Sequence, residues 1–188
     1  AAGYAVFKDA KLVRFIDRYF AHGVNLLIGK MEGDIAEVDD GEGGFAAVRL
    51  THSAVRFSAS FASDGSIEKI TADINVKGDL EQLQNPIDIY DPAVTDRLES
   101  SLGAMERYRA EHVMELMKEL EADFCKIGVR LSMKYPVKFS RIAGDWPRQL
   151  AAAETEVRVK AEIMRTYEAG LSPIGAWRED NGEGQRQP

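Results

Sequence analysis

Five carboxylates, Asp34, Glu37, Asp39, Asp40 and Glu42, crowd into one short stretch, and converging oxygens of this kind are what a hard cation such as calcium requires. Their spacing lacks the alternate-position ligands, central Gly and late Glu of a calcium loop, so the stretch reads as a solvated acidic turn. His22, His52 and His112 lie far apart, and none has a second His four residues away, which leaves a zinc site without local support. Cys125 follows an apolar helix end with no His and Asp assembly beside it, and reads as a buried, inert thiol. Gly41, Gly43 and Gly44 lack the Lys and Ser or Thr of a phosphate-cradling loop, and no serine stands in a nucleophile elbow. Trp146 either lines a ligand pocket or fills the seam between a connection and a helix end. Met105, Met114, Met117 and Met133 either form an adaptable groove or fill a core. This reading assigns no catalytic, cofactor-binding or metal-binding residue and expects no cofactor. Interaction is the role left.

Composition narrows the partners. A chain of 188 residues, 45% hydrophobic and 29% charged, is an ordinary globular protein large enough for one core. Its net charge of −7, with scattered cations, argues against nucleic acid and against adhesion of the bare domain to an anionic lipid surface. No apolar run is long enough to span a bilayer. The start, Ala1-Ala2-Gly3-Tyr4, has neither a charged leader nor an initiating Met, and suggests a piece of something longer. The single cysteine leaves no internal disulfide and an open redox compartment.

The elements that must position these residues centre on Asp91–Phe124. Asp91 is an N-cap, Pro92 suits the first helical position, and Val94, Leu98, Leu102, Met105, Val113, Leu116, Met117, Leu120 and Phe124 mostly recur at spacings of three or four. The polar interval Glu106, Arg107, Arg109, Glu111 interrupts that stripe and is expected to face solvent or a partner, with Arg107 and Arg109 the candidate contact residues. Before the helix, Tyr4–Phe7 and Leu12–Ile16 predict a hairpin turning at Lys8, Asp9, Ala10 and Lys11. Asp17 should then cap a helix over Arg18–Ile28 that Gly29 stops, and Gly23 inside it points to close packing. Lys30–Val38 predicts a strand, and Asp39–Gly44 a turn. In Phe45–Phe61, Val48 and Leu50 share one parity while Val55, Phe57, Ala59 and Phe61 share the other, so a bulge near Thr51–Ala54 is expected. Ser63–Ser66 turns the chain into an alternating strand around Ile70–Val76. After the long helix, Lys126–Tyr135 continues as helix or forms a second short one, Pro136 forces a boundary before a new helical turn over Val137–Ala143 that Gly144 caps, and Trp146-Pro147 anchor a connection. Val157, Val159, Ala161 and Ile163 then form a half-buried strand expected beside the early ones. The fold class is α+β: an antiparallel or mixed sheet with a long amphipathic helix and shorter helices packed on one face. Residues 1–177 form one domain, and 178–188 a flexible polar tail.

The order of these features resembles the C-terminal domain of the Ger(x)C spore germination proteins. Ala5-Val6-Phe7, Leu12-Val13, Asp17, His22-Gly23 and Leu26–Lys30 are similar to that domain's opening. Asp91-Pro92, the long helix, Ala122-Asp123, Gly128, Lys134-Tyr135-Pro136, Trp146 and the closing strand into Arg165-Thr166 follow in its order. Lys126 departs where the family usually has the first of two glycines, Phe139 where it has Trp, and Tyr167 where it has Gly. The resemblance implies the C component of a germinant receptor, a non-enzymatic lipoprotein at the spore inner membrane beside membrane subunits A and B. It implies roles in receptor assembly and signalling, or else direct binding of a small nutrient germinant. It further implies that the full-length protein carries an N-terminal signal, a lipid-modified Cys as its only membrane attachment, and additional domains, none of them present in this sequence.

Overall fold

The alternation of Ile70, Ala72, Ile74 and Val76 with Thr71, Asp73, Asn75 and Lys77 builds the central strand of the molecule, buried on the first set and wet on the second. The structure, a computed structural model, describes residues 3–8, 10–31 and 33–164. In chain order these form β1 (Gly3–Lys8), β2 (Lys11–Asp17), α1 (Arg18–Ile28), β3 (Ile35–Asp39), β4 (Phe45–Phe61) and β5 (Ile67–Leu83). There follow α2 (Pro92–Leu120), α3 (Ile127–Lys134), α4 (Pro136–Phe139), a 3-10 turn (Ala143–Asp145), α5 (Trp146–Ala152) and β6 (Glu154–Met164). Strands β3-β4-β5-β6 make a mixed four-stranded sheet, antiparallel except that β6 runs parallel to β5. The helices pack on its apolar face, and α2 lies against β6, β3, α1 and α5.

The α+β class with a mixed sheet is as the sequence predicts. The bulge is there too: the β4–β5 register shifts between Leu50 and His52. That shift lets Val48, opposite Leu80, and Val55, opposite Ile74, reach the same core despite opposite parity. Asp17 caps α1 by accepting from the Phe20 N–H at 3.0 Å, and Gly29 closes it in the left-handed region at φ 71°.

Several expectations are corrected. The closing strand does not join the early ones. β1 and β2 form a separate two-stranded sheet, and β6 takes the open edge of β5, which the intervening helices allow it to approach in parallel. The strand expected over 30–38 begins only at Ile35, because Gly33 at φ 79° and Asp34 form a connection, Gly33 donating to the Leu50 carbonyl. Helix α2 stops at Leu120. Glu121 adopts φ 47° and closes it through bonds to the Lys118 and Met117 carbonyls, freeing Phe124 to pack separately. At 29 residues the rod is about 43 Å long. The turn expected over 137–143 is cut to α4, and Gly144 sits inside the 3-10 turn instead of capping it. Trp146 and Pro147 open a seven-residue helix where a connection was expected, anchored by the fully buried Leu150. The expectations at Asp9, Arg165, Thr166, Tyr167 and the tail 178–188 fall outside the described residues.

Candidate functional site

Helix α2 turns its polar interval in two directions. Arg107 and Glu111 point outward, half-exposed, with 3.8 Å between their charged groups. Glu106 and Arg109 point inward: Glu106 is fully buried and Arg109 only 8% exposed, so half of the face expected to meet solvent is interior. The reason is geometric. At i and i+3 the two side chains share one face of the helix and pair through a single contact, 2.6 Å between Arg109 Nη1 and Glu106 Oε1, while Glu106 Oε2 and Arg109 Nε are buried without a hydrogen-bond partner among the described residues. His22 of α1 brings Nδ1 to 3.3 Å from Arg109 Nη1, and its Nε2 lies 3.8 Å from Asp34 Oδ2. The Tyr19 ring covers the guanidinium at 4.4 Å. A Cβ on Gly23 would run into the Arg109 backbone carbonyl, so glycine is what lets α1 and α2 approach closely enough for this knot. A histidine between two carboxylates is acid-base equipment in an open cleft. Here the inner carboxylate has no exposure and is bound to arginine, so the cluster ties α1, α2 and the connection before β3 together.

The other chemistry-bearing residues are similarly engaged. Asp123 accepts from the Ile127 N–H at 2.8 Å, the Gly128 N–H at 2.7 Å and Trp146 Nε1 at 2.9 Å, holding the start of α3 and the indole at once. A Cβ on Gly128 would lie 2.6 Å from that indole nitrogen. Burial pushes the Cys125 thiol far up, Asp123 adds to this, and Arg130 opposes it, so the sulfur stays protonated and inert. In the acidic turn, burial raises the Asp40 carboxyl. Bonds from the Glu42 and Gly44 N–H groups and the Asn85 amide, with Arg97 nearby, outweigh burial and leave it below the usual range. Asp40 therefore organises the turn internally. His112 stacks on Phe20 at 3.7 Å, whereas His52 is exposed on β4. Among the described residues no group of three or more His, Cys, Asp or Glu is arranged to hold a metal ion, and no helix is long and apolar enough to cross a membrane.

Three surface hollows among the described residues bear on the expected contact and pocket residues. One of about 330 Å³ adjoins Trp146, with Asp123, Ser132 and Phe139 in its wall. A more apolar groove of about 490 Å³ runs between Ile28, Phe124, Val129 and Met133, with Lys30, Lys126 and Arg130 at its rim. The third, about 360 Å³, lies where Ser100, Gly103 and Arg107 of α2 meet Val159 and Ala161 of β6. Of the expected contact residues Arg107 and Arg109, only Arg107 is on such a surface. Met114 and Met117 are fully buried core, Met105 packs against it and Met133 is exposed, so the four do not form one groove.

Comparison with known proteins places this geometry. The family described as Spore germination B3/GerAC like, C-terminal matches residues 2–167. The chain belongs to this family. It is 24% identical over 170 residues to the spore germination protein KC of Bacillus subtilis (strain 168), covering 88% of this chain and 41% of that protein. A solved structure described as the GerBC protein superposes with a TM-score of 0.74 at 17% identity, over 87% of this chain and 51% of the other. The chain thus spans no more than about half the length of either relative. The Ger(x)C resemblance is borne out, and the residues that carry it are structural nodes: Asp91 and Pro92 at the α2 start, Gly23 in the ionic knot, and Asp123, Gly128 and Trp146 in the second knot. The departure at Lys126 has a physical consequence, because its backbone sits at φ 59°, a conformation glycine adopts without strain. Phe139 keeps an aromatic contact with Trp146, at 5.1 Å between ring centroids.

Proposed function

We propose that the chain is a non-enzymatic domain from the C component of a spore germinant receptor, which docks membrane subunits A and B and helps pass the nutrient signal. In the full-length protein the domain is held at the spore inner membrane by a lipid anchor. The observation that supports this reading is the family match across 2–167, joined to the engagement of Glu106, Arg109, Asp123 and Asp40 in holding the fold. Arg107 is the contact residue carried forward. Arg109 is withdrawn as a probe of docking, since reversing a buried charge would disturb folding before it could report on a partner. Co-purification of the chain with each membrane subunit, with and without Arg107→Glu, tests the reading. Association weakened tenfold or more by the reversal supports docking through this face, and unchanged association removes the face from the proposal.

A second reading rests on the hollow beside Trp146, whose size falls at the low end of small-ligand sites. The indole N–H is already committed to Asp123, and few free polar groups converge there, which favours docking over nutrient capture. Thermal shift with a panel of amino acids, sugars and nucleosides separates the two. A midpoint that climbs with ligand concentration supports germinant binding, and a flat response supports docking.

A further inference from the structure

Net charge conceals how the cations are distributed. From Lys126 to Gly144 the chain carries Lys126, Arg130, Lys134, Lys138 and Arg141 and not one acid, in a protein whose overall charge is −7. All five belong to α3, α4 and their flanks, and Lys30 joins them across the 490 Å³ groove. Cations elsewhere, such as Arg49, Lys69, Arg97 and Arg158, have carboxylate partners, whereas none of these six has one within 4 Å among the described residues. Arg130 donates to the Leu27 and Ile28 carbonyls and Lys134 to the Phe57 carbonyl, contacts that fix the side chains and leave their charge uncancelled. Between the cations stands an apolar ridge: Val129, Met133 and Val137 are 50%, 78% and 71% exposed. Val129 and Met133 stand one turn apart on α3 and Val137 follows on α4, and with basic side chains interleaved among them they match a surface that is apolar within and anionic at its rim.

We infer that the α3–α4 face docks onto an anionic lipid bilayer, Val129, Met133 and Val137 entering the headgroup boundary while Lys30, Lys126, Lys134, Lys138 and Arg141 meet lipid phosphates. Val129 and Met133 also wall the 490 Å³ groove, so the face is uneven: a protein partner would need a shaped counterpart to cover it, whereas a bilayer conforms to it. A nucleic acid would set the ridge against phosphate. Repulsion from the acidic remainder of the chain does not cancel the attraction, because at physiological salt it is screened over about 8 to 10 Å, less than the width of the domain. The inference goes beyond the family reading and needs only the chemistry of this face.

Co-sedimentation of the 188-residue chain with vesicles of phosphatidylcholine alone, and with about one-third phosphatidylglycerol added, tests it. Binding is expected only to the anionic vesicles and should be lost near 1 M salt. Removing three charges together, Lys126→Gln, Lys138→Gln and Arg141→Gln, should lower partitioning about a hundredfold. Val129→Ser, Met133→Ser and Val137→Ser together should lower it at least tenfold. All six positions are exposed, and the thermal midpoint of each variant serves as the folding control. As a second control, Lys69→Gln and Lys77→Gln on the outer sheet face should leave partitioning within twofold. Equal binding to both vesicle types, no binding to either, or variants that bind like the parent overturn the proposal. So does oligonucleotide binding that survives loss of the apolar ridge, which would assign the face to nucleic acid.

Discussion

Glu106 and Arg109 illustrate how a side chain's meaning depends on which way its helix faces. With the carboxylate fully buried and the guanidinium nearly so, removing one partner strands the other: Glu106→Ala should cost about 3 to 5 kcal/mol in urea unfolding. The double change Glu106→Leu with Arg109→Met should cost far less, because both desolvated charges leave together; a double variant as unstable as the single one would contradict this account. Lys126 makes the opposite case, a residue in a backbone state that suits glycine. Lys126→Gly should raise stability by about 1 kcal/mol by relieving the left-handed strain, read as an increase in the urea midpoint at constant slope.

Elements succeed here through close approach and through a charged ladder. Helices α1 and α2 meet at Gly23, so Gly23→Ala, which in an isolated helix would help, should instead destabilise by about 1 to 3 kcal/mol as the added methyl forces the pair apart. Thermal unfolding of that variant decides between the two signs. On the wet face of β5 and β6, hydrogen bonds from Arg158 and then Lys69 hold the Glu156 carboxyl at about 2, and those from Lys160 and then Lys77 hold Glu162 there as well. Carboxylates depressed from an ordinary 4.5 stabilise the fold above that pH, and the contribution drains away as pH falls from 4.5 toward 2. The variant Glu156→Gln with Glu162→Gln should therefore show a shallower loss of urea midpoint over that window. Both groups are solvent-exposed, so the difference from the parent should shrink at about 0.5 M salt.

Across the whole molecule, one apolar cluster runs from Val6 and Ile16 of the hairpin through α2 to Leu150 and Ile163, which predicts a single cooperative unfolding transition. Coincident near- and far-UV circular dichroism curves would bear this out, and a separate early loss of the hairpin would not. The sequence by itself determined whatever is encoded by near neighbours. Asp17 and Asp91 cap their helices, Gly29 ends one, and the parity change across Thr51 demands a bulge, because caps and side-chain alternation act within a few residues. The basic run from Lys126 to Arg141 also stands in the sequence, but taking the cations as scattered missed it. Tertiary structure alone decided that Arg109 turns inward while Arg107 stays out, that Asp34 meets His22, that Asp123 holds an indole 23 residues away, and that β6 pairs parallel to β5. The physical reason is that burial and pairing depend on what arrives from the far side of a helix or strand. Periodicity states which residues share a face, and only packing states what that face meets.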